Sequence, residues 1–145
     1  MSRIKNYLNE ILEEVRNIEL FSKEIHATVV GEFPYAQIIG PEGMGKTSQV
    51  QSWAEENNIS LIKFPIYPFH YDSDATTEKV VSQIKLVIQS RLEAGKCVIL
   101  FDDYERASSN YKRIIEELSK SHYLDVDSER YFENLLFVII IENGY

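Results

Sequence analysis

The chain has 145 residues, a net charge of −8 and a pI of about 4.9. With 44% hydrophobic and 26% charged residues it is neither disordered nor collagen-like, and one domain is expected at this length. The acidity argues against non-specific binding to nucleic acid or to an anionic membrane. Cys97 stands alone, which excludes a disulfide framework or a thiol metal site and points to a reducing, cytoplasmic setting. The N-terminus lacks the basic-then-apolar pattern of a leader. The apolar run Leu135 to Ile141 is far short of the roughly 20 residues that span a bilayer, and it suits a buried strand.

Residues 3 to 30 read as helix. Ile4, Leu8, Ile11, Val15 and Ile18 fall at alternating steps of four and three, with Leu12 beside them, which makes one apolar stripe. The stripe suits packing on the chain's own core, and a partner-binding or coiled-coil helix is the alternative. The second half, Ile18 to Val30, reads as a possible separate helix ending near Gly31. Phe33-Pro34 breaks the pattern. Tyr35 to Ile39 is a short strand, Gly40 to Gly45 a glycine-rich loop, and Lys46 to Asn57 a helix stopped by Asn57-Asn58. Ile59 to Tyr67 is β-branched and aromatic, a strand with Pro65 as an interruption. An aromatic loop follows from Pro68 to Asp74, with Tyr67, Phe69, His70 and Tyr71 as packing or partner-contact residues. A helix from Thr76 or Thr77 to Ala94 closes at Gly95. Cys97 to Phe101 is a strand. Ser108 and Ser109 are candidate caps for a helix from Asn110 to Ser119. His122 to Asn134 is irregular, and Leu135 to Ile141 is the fourth strand. Strands alternate with helices, so the sheet is expected to be mostly parallel.

The chemistry is carried by Gly40-Pro41-Glu42-Gly43-Met44-Gly45-Lys46-Thr47, which fits the P-loop pattern GxxxxGK[ST]. At average residue usage the pattern arises by chance in about one chain in two hundred of this length, so it is specific. A strand before it and a helix after it are the context the mechanism needs. Gly40, Gly43 and Gly45 free the backbone to approach phosphate oxygens, and successive N–H groups form an anion nest at a helix N-terminus. Lys46 reaches the β- and γ-phosphates, and the Thr47 hydroxyl ligates Mg²⁺. The second element is the apolar strand ending in Asp102-Asp103. Strand ends in open α/β sheets are where ligands bind. Asp102 is the candidate to hold Mg²⁺, and Asp103 to orient or deprotonate the attacking water. The third element is the end of the last strand, where Asn143 is either a water-positioning residue beside the γ-phosphate or an ordinary polar turn residue. His26, His70 and His122 are too scattered to ligate a metal, and Trp53 reads as core or partly exposed.

These residues resemble the core of an AAA+ ATPase. GPEGMGKT is similar to that superfamily's GPPGTGKT-type Walker A loop, and the stretch from Gly95 to Asn143 resembles its Walker B to sensor 1 region. Phe101-Asp102-Asp103-Tyr104-Glu105-Arg106-Ala107 is similar to the DEINRA-type motif of the MoxR and McrB-like branch. The resemblance covers roughly residues 20 to 145. It implies an α/β fold, the three-layer αβα sandwich of P-loop NTPases with a mostly parallel sheet, preceded by an N-terminal helical segment. The division expected is residues 1–30 for that segment and 31–145 for the core. It implies the spatial strand order 2-3-4-1, with the last strand between the Walker A and Walker B strands. By position, Lys46 and Thr47 match the phosphate and Mg²⁺ residues, Asp102 the Walker B aspartate and Asn143 sensor 1. Asp103 departs from the usual glutamate by one methylene. The chain stops at Tyr145, before the fifth strand, arginine finger and lid of that family, so a fragment or a minimal nucleotide-binding protein is expected.

Three functions compete. The first is an ATP- and Mg²⁺-dependent ATPase core, converting ATP and water to ADP and phosphate. It would remodel a protein or nucleic-acid partner, with a protein partner or a homo-oligomer expected and nucleic acid engaged only indirectly. The second is a nucleotide switch or assembly module that binds without turnover. The third is a small P-loop kinase, disfavoured because Arg113 and Arg130 are the only arginines after Arg106. ATP rather than GTP rests on the family likeness.

Overall fold

The computed structural model describes residues 2–26, 34–65, 96–109, 112, 113, 115, 116 and 135–144. The expected aromatic loop at 68–74, the helix at 76–94 and the irregular stretch at 122–134 lie outside them. So do residues 27–33 and most of the helix expected after 110.

Helix α1, Arg3–Ile25, starts at Ser2, whose side chain accepts a hydrogen bond from the Lys5 N–H. Of its expected stripe, Leu8, Ile11, Leu12 and Val15 are buried, and Ile4 and Ile18 are half-buried. The helix runs unbroken through Ile18, so the expected second helix starting there is not present. It also stops short of residue 30. His26 adopts the left-handed conformation (φ 54°), and its N–H returns to the carbonyls of Lys23 and Ser22. Histidine is among the residues that tolerate this conformation, so no glycine is needed to close the helix.

Strand β1, Ala36–Gly40, leads into the glycine loop and then helix α2, Lys46–Glu56. Asn57 closes α2, with both its N–H and its side-chain Nδ2 donating to the Trp53 carbonyl at 3.1 and 2.8 Å. Strand β2, Ser60–Pro65, and strand β3, Cys97–Asp102, follow. Pro65 is the last residue of its strand, a position where a missing N–H costs the ladder least. A 3₁₀ turn spans Tyr104–Arg106. Helical backbone resumes at Ser109, Lys112, Arg113, Ile115 and Glu116, with the Lys112 N–H on the Ser108 carbonyl at 2.9 Å. Strand β4, Leu135–Asn143, runs two residues past the expected Ile141 because Gly40 keeps pairing with Asn143.

The four strands form a parallel sheet in the order β1-β4-β3-β2, as the likeness implied. Central strands of parallel sheets are covered on both faces and read as continuous apolar runs. Val98 to Phe101 and Leu136 to Ile141 are buried accordingly. One face, with Ala36, Ile38, Val98, Leu100, Phe137, Ile139 and Ile141, packs against Leu8, Ile11, Leu12 and Val15 of α1 and Val50, Trp53 and Ala54 of α2. On β3 and β4 the intervening Ile99, Phe101, Val138 and Ile140 are equally buried. Cys97 is a buried strand residue.

Trp53 has no exposed surface and joins the three elements. Its ring meets Phe137 at 5.8 Å between centroids, and its Nε1–H donates to Asn9 Oδ1 at 2.8 Å. An indole N–H buried in this way needs such a partner. Lys5 binds Glu56 at 2.6 Å and Ser52 at 2.9 Å, tying α1 to α2. The Lys5 ammonium holds the Glu56 carboxyl below its ordinary value of 4.5. The Gln37 N–H of edge strand β1 donates to the Tyr7 hydroxyl at 3.2 Å.

Candidate functional site

The sheet's C-terminal edge collects the chemistry. In a parallel sheet all strands end on the same side, so Gly40, Asp102 and Asn143 come together although far apart in sequence. The register sets Gly40 opposite Asn143, and β3 lies against the other side of β4.

Gly43 and Gly45 take positive φ, 88° and 72°, which side chains rarely adopt, so the loop's curvature depends on these two glycines. Together with Glu42, Lys46, Thr47, Ser48, Asp102, Asp103 and Asn143 they line a cavity of about 360 Å³. Gly40 does not line it. It is the last residue of β1, and its carbonyl accepts from the Gly144 N–H at 3.0 Å and from Lys46 Nζ at 2.7 Å. The expectation that Gly40 begins the loop is therefore corrected by one residue.

Lys46 is only 6% exposed, and its ammonium also donates to the Pro41 carbonyl at 2.7 Å. Among the described residues no carboxylate forms an ion pair with it. A buried cation held by neutral carbonyls is incompletely compensated, and it sits at the wall of the cavity.

Asp102 lines the same cavity, where its Oδ2 accepts from the Thr47 hydroxyl at 2.9 Å and its Oδ1 from the Asp103 N–H at 2.9 Å. Lys63 of β2 approaches Oδ2 at 3.5 Å. Asp103 leaves β3 in the left-handed conformation, φ 56°, which aspartate tolerates better than most residues. Its Oδ1 accepts from Asn143 Nδ2 at 2.8 Å. The Asn143 N–H in turn donates to Glu105 Oε2 at 3.1 Å, so the 3₁₀ turn fastens the end of β4. Tyr104 anchors the same turn and is buried. Its hydroxyl donates to Glu116 at 2.9 Å, and burial with that carboxylate pushes its ionisation well above the ordinary range.

Of the expected residues, Gly43, Gly45, Lys46, Thr47, Asp102, Asp103 and Asn143 thus share one cavity. Glu105 and Lys63 were missed. Glu105 belongs to the segment after Asp103 that the sequence singles out, but nothing in the sequence ties it to Asn143. Lys63 gives a signal only through register, since it lies two residues before the strand end that pairs with Asp102.

Thr47 and Asp102 offer hard oxygens of the kind Mg²⁺ takes beside substrate phosphates. The donor set fits Mg²⁺.

A family model described as ATPase family associated with various cellular activities (AAA) matches residues 36–140. The chain belongs to the AAA ATPase family. The match begins at the first residue of β1 and ends inside β4, so it contains the glycine loop and Asp102-Asp103. AAA membership makes the chain a nucleotide-binding, ATPase-like module, of a family whose members frequently oligomerise. No curated protein matched the chain. Among the described residues, no helix is long and apolar enough to cross a membrane.

Proposed function

We propose that this AAA module binds ATP with Mg²⁺ in the cavity between the glycine loop and the ends of β3 and β4, and hydrolyses it. The observation that carries the reading is the buried Lys46 ammonium, held by two carbonyls and facing a cavity lined by loop glycines. A triphosphate supplies the negative charge this cation lacks.

In this reading the loop N–H groups and Lys46 bind the β- and γ-phosphates. Thr47 and Asp102 hold Mg²⁺, which when bound neutralises charge on the phosphate oxygens. Asp103 is the base. One of its oxygens is occupied by Asn143, which leaves the other to accept a proton from water. The water oxygen bonds to the γ-phosphorus, the bond to the bridging oxygen breaks, and ADP and phosphate result. Asn143 fixes the Asp103 carboxylate and reaches the same cavity, where it positions the water. Glu105 holds Asn143 by its backbone. Hydrolysis then serves to remodel a protein or nucleic-acid partner within an oligomer. The net charge of −8 favours a protein contact over direct nucleic-acid binding.

The test is turnover by Asp103→Asn. Asparagine keeps the left-handed backbone accessible and cannot take the proton. Phosphate release is expected to fall by about 10²-fold or more, the scale of general-base catalysis, with Mg-ATP affinity retained. Equal turnover by the variant contradicts the role of Asp103. Binding without turnover in the wild type makes the chain a nucleotide-dependent assembly module instead.

A further inference from the structure

The loop that forms the cavity is braced from outside by Gln49, a residue of α2 that is no part of the GxxxxGK[ST] pattern and does not line the cavity. Its Nε2 donates to the Met44 carbonyl at 3.2 Å. The Met44–Gly45 peptide is trans, since no peptide bond among the described residues is cis, so its N–H points opposite to its carbonyl. Gly45 lines the cavity and Met44 does not. With the Met44 carbonyl held by Gln49, the antiparallel Gly45 N–H is directed away from that side chain. Gly45 has φ 72°, and a glycine left to itself samples many other conformations.

The Gln49 amide is itself oriented. The Ser2 hydroxyl donates to Gln49 Oε1, which commits Nε2 to Met44. The same hydroxyl accepts from the Lys5 N–H at the start of α1, using the donor and acceptor capacity of one serine for two tasks. The first turn of α1 is thus connected to the phosphate loop through one side chain.

We infer that Gln49 is a positioning residue for the phosphate loop, aiming the Gly45 N–H into the cavity, and that the Ser2 cap of α1 holds Gln49 in that orientation. The inference rests on the phosphate-binding reading of the cavity. A neutral hydrogen bond contributes enough to alter an affinity several-fold, and here it acts on a donor that would meet phosphate.

The experiment uses the 145-residue chain with Gln49→Met, which is close in size, favours helix and cannot donate. Mg-ATP affinity is measured by calorimetry, and amide hydrogen exchange is followed over residues 40–47. The expected result is affinity weaker by about three- to tenfold and faster exchange in the loop, from a variant that still melts cooperatively in the absence of nucleotide. Ser2→Ala should show the same two changes at smaller amplitude. Wild-type affinity together with wild-type loop exchange in Gln49→Met overturns the inference while leaving the nucleotide reading intact. If the wild type binds no Mg-ATP, that reading fails, and loop exchange alone decides on Gln49. Unchanged exchange then overturns the inference, and faster exchange supports it as a brace on the loop.

Discussion

Asp103 carries two demands that few residues meet together. Its backbone turns through the left-handed region so that the 3₁₀ turn can start, and its carboxylate accepts from Asn143 inside the cavity. Asparagine satisfies the first demand and valine neither. Asp103→Val is expected to cost about 1–2 kcal/mol, because a β-branched side chain is forced into positive φ. Asp103→Asn should stay near the wild type in a urea melt. Equal stability of the valine variant would show that the turn relaxes rather than bears the strain. The roles proposed for Lys46, Thr47 and Asp102 were legible in sequence because motif and strand ending state them locally. Glu105 and Lys63 were not, since their relevance comes from contacts with Asn143 and Asp102 that only the folded register creates.

At the scale of elements, α1 behaves as part of the core. Its apolar stripe was legible from the spacing of Ile4, Leu8, Ile11, Val15 and Ile18 with Leu12, of which Leu8, Ile11, Leu12 and Val15 are buried and the flanking Ile4 and Ile18 half-buried. Its end was not legible, because the closing residue is a histidine using backbone bonds that leave no compositional mark. The Asn9–Trp53 bond was equally hidden. Asn9 lies on the polar side of the stripe, and only the crossing of α1 over α2 brings it to the indole. Asn9→Ala leaves that N–H buried and unpartnered, which is expected to cost about 1–3 kcal/mol. The melting midpoint should fall by several degrees, at about 2–4 °C per kcal/mol for a chain of this size. An unchanged midpoint would mean that the indole finds another acceptor. Strand limits differ from expectation by one residue at the starts of β1 and β2, and by one or two at Gly40, Asp102 and Asn143, at the site. Polar or glycine residues there look like loop in sequence, whereas the ladder carries them to the sheet's edge.

For the molecule as a whole, the strand order β1-β4-β3-β2 is what makes one site from separate segments. Inserting β4 between β1 and β3 brings Asn143 beside both the glycine loop and Asp103. The central claim is that the cavity so formed binds a nucleoside triphosphate through Lys46. It is tested most directly by the melting midpoint with and without Mg-ATP, for the wild type and Lys46→Ala. Ligand at 100 times its dissociation constant adds about 2.7 kcal/mol to stability, a rise of several degrees at this size. The account predicts that rise for the wild type and little or none for Lys46→Ala. The same rise in both proteins, or none in the wild type, would contradict it.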